Sequence, residues 1–205
     1  KDTIFDPGFK QCPGTMGCEC LSNDDCPIDA KCLELYRGDY CIPLTGAKIP
    51  NLKAIDQYGD LFNLYDLAYQ DKPIIIEIST PWPRSSNSLA AWRSYINENI
   101  RNEKWWKDKF DIARDILDND GLYWVQIIHL DENKNPINAK SINNWVEKYP
   151  HEKIIVLSDP EAKMKQWIRP TGYPCLILLG EDMRVKVHTL RGVEEAFDGL
   201  FDYYE

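Results

Sequence analysis

The chain has 205 residues, 43% of them hydrophobic, and a formal net charge of −9. That is enough apolar material for a core, in one ordinary domain plus a small module or in one large domain. The acidic balance argues against nucleic acid and an anionic membrane as broad partner surfaces, and no apolar run approaches the roughly 20 residues that span a bilayer.

The first 46 residues are rich in Gly, Pro, Asp and Cys and show no sustained periodicity. Six of the seven cysteines lie here: Cys12, Cys18, Cys20, Cys26, Cys32 and Cys41. A dense, even cluster with little apolar content is a disulfide framework or a metal site. Zinc knuckles offer paired Cys-x2-Cys spacings. Here no such pair occurs and no histidine falls inside the cluster. Three disulfides are therefore expected, with no metal and no cofactor. Many pairings stay open, although Cys18 and Cys20 are too close to bridge each other comfortably. Disulfides persist in oxidising compartments. An extracytoplasmic location is therefore expected (periplasm, cell surface or secreted), with a signal peptide already removed. Residues 1–46 are expected to be a disulfide-stapled module and residues 47–205 a second domain.

After the junction "IPLTGAKIP", strands and helices alternate. "NLKAIDQYGDLFNLYDLA" reads as a hairpin turning at Tyr58-Gly59-Asp60, then a helical turn from Asp66. "KPIIIEIS" is a fully buried strand. A helix is expected from Ser85 or Ser86, with serine as N-cap. It would carry Leu89, Trp92, Tyr95, Ile96 and then Ile100 on one stripe. Residues 103–120 read as a second helix closed by Asp120-Gly121. Its adjacent Trp105 and Trp106 would face different sides, one toward the core. "GLYWVQIIHL" is a central strand, "INAKSINNWVEKYP" a helix and "KIIVLSD" a strand. "PEAKMKQWI" is a helix with Pro160 at its first position. "CLILLG" and "RVKVHTL" are strands joined at Gly180-Glu181-Asp182, and "VEEAFDGLFDYY" is a closing helix. Within the loop Asp131–Pro136, "DENKNP" opens like a calcium loop but lacks the later glycine and glutamate, so it reads as a polar loop.

Three segments carry a resemblance. "GAKIPNLKAIDQYGDLFNLYDL", "KPIIIEISTPWPRSS" and "LSDPEAKMKQWIRPTGYPCLILLGEDMRVKVHTLRG" resemble, in this order, the thioredoxin superfamily, in particular its extracytoplasmic thiol-reductase and peroxiredoxin-like branch. The resemblance covers residues 47–205. It implies an α/β fold with a thioredoxin-like central mixed sheet flanked by helices. It also implies a cis-proline at Pro174, within Gly172-Tyr173-Pro174.

The family's Trp-Cys-x-x-Cys motif falls on Pro81-Trp82-Pro83-Arg84-Ser85. Trp82 then replaces the attacking cysteine and Ser85 the resolving one. Disulfide exchange needs a thiolate, and neither residue supplies it. No catalytic residue is expected at this degenerate site, and His129, His151 and His188 are scattered along the chain. The expected role is binding of a protein or peptide partner, as a redox-inactive protein or a structural subunit. Trp82, Arg84, Tyr173, Pro174 and Cys175 form the candidate binding set. Trp and Arg are enriched at binding hot spots, and an extended peptide could add along the groove beside the proline. Trp82 either anchors a partner or folds down to plug the groove. Cys175 is read as a small buried strand residue. The alternative is a thiol-disulfide oxidoreductase that uses Cys175 or a cysteine of the N-terminal module.

Overall fold

The computed structural model describes residues 4–204. The cysteine-rich segment holds an antiparallel hairpin of β1 (Ala30–Leu35) and β2 (Gly38–Pro43), turning at Tyr36-Arg37. The sequence predicts no strand here, because Cys32 and Cys41, which stand opposite each other, occupy positions where a larger apolar side chain would show the period. Bridges join Cys12 to Cys18, Cys20 to Cys32 and Cys26 to Cys41. The sulfurs of Cys20, Cys26 and Cys41 lie within 4.8 Å of one another. All three are bridged, so no thiolate is offered to a metal. The small buried cluster of Cys20, Ala30 and Cys41 replaces an ordinary core with covalent links.

The remaining strands are β3 (Lys53–Asp56), β4 (Leu61–Asn63), β5 (Ile74–Ser79), β6 (Tyr123–Ile128), β7 (Ile154–Ser158), β8 (Cys175–Leu179) and β9 (Val185–His188). They form one mixed sheet in the order β4-β3-β7-β6-β5-β8-β9. β5, β6 and β7 are parallel, and β8 runs antiparallel to β5. Every residue of β5 is buried. A central strand covered on both faces reads as a near-continuous apolar run, and "IIIEIS" does, apart from Glu77 and the closing Ser79.

Side chains alternate between faces. Ile75, Trp124, Leu176 and Leu178 join one core with Leu89, Trp92 and Phe197. Ile74, Ile76, Ile78, Val125 and Cys175 join the other with Met164, Trp167 and Ile168. The covering helices are α1 (Arg84–Arg93), α2 (Asp111–Asp118), α3 (Ala139–Lys148), α4 (Lys163–Ile168) and α5 (Glu194–Tyr204).

Four helix boundaries differ from expectation. Pro83, not a serine, is the N-cap of α1 and makes no side-chain cap bond; Ser85 directs its hydroxyl elsewhere. α1 ends at Arg93, and Tyr95 takes a φ of 57°. The expected stripe therefore breaks, and Ile96 turns outward. Trp105 and Trp106 precede α2 and are not within it. Trp106 is nonetheless core, with its ring 4.7 Å from that of Trp92, while Trp105 is only partly buried against the same core. α4 begins at Lys163, beyond Pro160. The buried carboxylate of Asp159 accepts from the amides of Lys163 and Met164 at 3.0 and 2.9 Å. It acts as a cap across the intervening turn. In the loop after β6, Asp131 likewise accepts from the amides of Asn133 and Asn135, which makes "DENKNP" a self-closed polar turn.

The disulfide-rich segment rests on the sheet domain. The Arg169 Nε donates to the Gly17 carbonyl at 2.5 Å, and its guanidinium lies 4.2 Å from the Tyr40 ring centre. The connecting residues pair with β9 and the turn before it: Gly46 N donates to Val185 O, Val185 N to Ala47 O and Ile49 N to Met183 O.

Candidate functional site

β5 ends at Ser79, and Thr80-Pro81-Trp82-Pro83 leads into α1. Its antiparallel partner β8 starts with Cys175 opposite Ile78. This register sets the Tyr173-Pro174 turn against the start of α1. The Tyr173–Pro174 peptide bond is cis. The Ser85 hydroxyl donates to the Tyr173 carbonyl at 2.7 Å, which fastens the helix start to the turn. Among the described residues, the Gly172 and Tyr173 amides donate to no protein acceptor.

Trp82 lies between its two expected states. It is 36% exposed, and its ring meets Tyr173 edge-on at 6.4 Å. The Lys134 ammonium sits 5.9 Å from the indole centre, within range of a cation–π contact. Arg84 points outward and pairs with Glu103 at 3.1 Å. Beside Pro174, a groove of about 350 Å³ is lined by Ser85, Trp105, Tyr173, Pro174, Arg191 and Glu194.

The fold thus brings Trp82, Ser85, Tyr173 and Pro174 together and leaves Arg84 at the rim. Cys175 lies one residue from the groove but beneath it. It is fully buried, and its thiol donates to the Thr189 carbonyl at 3.0 Å. Burial pushes this thiol up to about 12, so almost none is thiolate at neutral pH. The turn that opens α1, Pro83-Arg84-Ser85-Ser86, contains no sulfur. Ser86 is fully buried, and Ser85 gives its proton to a carbonyl, so neither hydroxyl faces a base.

His129 is the site residue the sequence left unplaced. It follows β6 at the carboxyl end of a parallel strand, where ligand crevices of open α/β sheets lie, and this position was the available signal. Its Nε2 is 3.2 Å from the Tyr173 hydroxyl. Burial, helped by the Lys165 charge, pushes its pKa down to about 4; burial first, then the nearby Cys175, raises Tyr173 to about 12. Both rings are neutral at pH 7, and a single proton bridges the Tyr173 oxygen and the His129 Nε2.

This pair predicts a pH response. The unfolded chain takes up the His129 proton near the ordinary value of 6.5, the folded chain near 4. The folded state therefore binds fewer protons between these values, and stability falls as pH drops through that window. The loss reaches about 3 kcal/mol by pH 4. Urea unfolding at pH 7 and pH 4 checks it: His129→Asn is expected to lose distinctly less stability over this interval than wild type, and equal losses would contradict the assignment.

No protein-family model matches the chain, and no curated protein sequence does. Solved structures do match. An exposed lipoprotein thioredoxin from Streptococcus pneumoniae strain TIGR4 is 16% identical with a TM-score of 0.50, over 75% of this chain and 96% of that one. A thiol peroxidase from Chromobacterium violaceum is 13% identical with a TM-score of 0.54, over 85% and 90%. An uncharacterized conserved protein from Geobacillus kaustophilus is 14% identical with a TM-score of 0.54, over 78% and 82%. At such identities the likeness speaks for the architecture alone. Strand order, the Tyr173-Pro174 turn against the start of α1 and these structural neighbours agree: the chain has a thioredoxin-like fold, with a disulfide-rich segment at its N-terminal end.

Proposed function

We propose that this chain is a thioredoxin-fold binding protein of an oxidising, extracytoplasmic compartment that performs no thiol–disulfide turnover. One observation carries the reading. The helix start facing Tyr173-Pro174 is Pro83-Arg84-Ser85-Ser86, without a thiol, and the free cysteine, Cys175, is fully buried. Three disulfides support the compartment. The partner is a protein or peptide. An extended segment would lie along the groove, pairing with the Tyr173 amide, which donates to no protein acceptor among the described residues, while the partly exposed Trp82 indole anchors it.

Two measurements test this. In an insulin-reduction assay with dithiothreitol, the chain is expected to add nothing to the uncatalysed rate; turnover would refute the redox-silent part. For binding, Trp82→Ala is expected to weaken the partner captured by the wild-type chain by about 2 kcal/mol, roughly thirtyfold. An unchanged affinity would remove Trp82 from the interface.

A further inference from the structure

A second cleft opens on the far side of Tyr173, between the hairpin tip of the disulfide-rich segment and the stretch from α4 to the proline turn. It measures about 430 Å³ and is lined by Tyr36, Arg37 and Tyr40 from the hairpin and by Lys165, Arg169 and Tyr173 from the domain. That size falls within the roughly 300–1,000 Å³ of ordinary ligand sites. Neither half makes the cleft alone.

The charge here opposes that of the molecule. The chain carries a net −9, yet the cleft presents three cations. Among the described residues, none of Arg37, Lys165 and Arg169 has a carboxylate within ion-pair distance. Glu34 and Asp39 face each other one step down the hairpin, and neither lines the cleft. Arg169 is held in place by Gly17 and Tyr40, and Lys165 lies close enough to His129 to influence it. Tyr36, at the hairpin tip, is 94% exposed, as an aromatic awaiting a contact would be. Cations without carboxylate partners, one of them fixed at Arg169, beside the exposed Tyr36 ring attract carboxylates while offering flat surface to the chain between them.

Tyr173 lines both this cleft and the groove beside Pro174, so it is the shared wall between the two. We propose that the disulfide-rich segment and the loop after α4 together form a second recognition subsite that receives an acidic, extended segment of a polypeptide partner. This rests on the binding reading above and names the chemistry of what binds. A peptide is favoured over a larger polyanion because the acidic remainder of the surface repels any anion that extends beyond the cleft.

The probe is a fluorescein-labelled peptide of alternating Glu and Gly, followed by fluorescence anisotropy at low ionic strength. A Lys/Gly peptide of equal length and heparin are the comparisons. Wild type is expected to bind the acidic peptide at least about tenfold more tightly than the basic one, with affinity falling as salt rises. The Arg37→Glu/Lys165→Glu variant is expected to lose about tenfold. Should that variant fold poorly by circular dichroism, Tyr36→Ala, at an exposed tip, is read in its place and is expected to weaken binding. Equal binding of the two peptides, affinity unchanged by these substitutions, or tighter binding of heparin with the same residue dependence would each overturn the proposal. The insulin assay reads separately. Redox silence without peptide binding removes only the cleft; turnover with peptide binding retained removes only the earlier reading.

Discussion

Glu77→Ala is expected to lower the unfolding free energy by about 3–5 kcal/mol, the range for breaking a buried ion pair from one side. Glu77 interrupts the apolar run of β5 and is fully buried. Its carboxylate accepts from Arg93 of α1, from the Ser79 hydroxyl, from Trp124 Nε1 at 2.8 Å and from Gln126 Nε2 at 2.9 Å. Gln126 in turn accepts from Arg93 at 3.0 Å and from Trp145 Nε1 at 2.8 Å. The network therefore ties β5 and β6 to α1 and α3. Alanine would leave the Arg93 guanidinium, itself buried, without its counter-charge, and would orphan the Trp124 donor. Such penalties outweigh anything regained by relaxation around the smaller side chain. Urea unfolding at pH 7 checks the value. Lys109→Ala, which removes a half-exposed pair with Asp198, serves as control and is expected to change stability by less than about 0.5 kcal/mol. A loss under about 1 kcal/mol for Glu77→Ala would mean that water reaches Arg93.

Gly17→Ala is expected to be comparably damaging, at about 2–5 kcal/mol, but its effect falls on a different place. Gly17 has a φ of +76°, and a Cβ there would stand 1.9 Å from the Gln166 carbonyl oxygen. The left-handed backbone alone disfavours alanine by about 1–2 kcal/mol, and the overlap adds about 1–3 kcal/mol because backbone meets backbone. Gln166 lies in α4, and the Gly17 carbonyl is what Arg169 grips. The strain is therefore relieved by lifting the disulfide-rich segment off the domain. Limited proteolysis under native conditions should cut the variant near residues 44–49 faster than wild type, with the sheet domain intact. Cleavage at the wild-type rate would show that the contact tolerates a methyl group. The acidic-peptide cleft, built from both sides of this contact, should weaken in parallel.

Much of the architecture was legible because its signals are strong. Ile74–Ile78 and Cys175–Leu179 are short, largely apolar runs bounded by Pro or Gly, and length and flanks favour buried strands over helices. The cysteine spacing separated bridges from zinc, although it could not choose the pairing, which depends on the hairpin register that sets Cys32 beside Cys41. That hairpin was missed because disulfides had taken over the positions from which an apolar alternation is read. Helix limits were missed where a residue outside the helix decides them. Asp159 caps α4 from across a turn, and Ser85 leaves its capping role for a carbonyl that lies 88 residues away in the chain. The candidate site was half visible. The structure places Trp82 and Ser85 beside Tyr173 and Pro174. His129, Lys134 and the cleft cations come from segments with no local motif, and only the fold brings them together. Cys175 shows the limit most plainly: its neighbour in sequence lines the groove, while strand alternation turns its own side chain into the opposite core.

The most direct measurement is a thiol titration of the folded and the denatured chain without reductant, with mass spectrometry of the bridges. The account predicts one reactive thiol, Cys175, on denaturation and none that reacts quickly in the folded state, with all three bridges resistant to brief mild reduction. Rapid labelling of Cys175 in the folded chain, or ready reduction of the bridge at the exposed Cys12, would contradict it and return the protein to thiol chemistry.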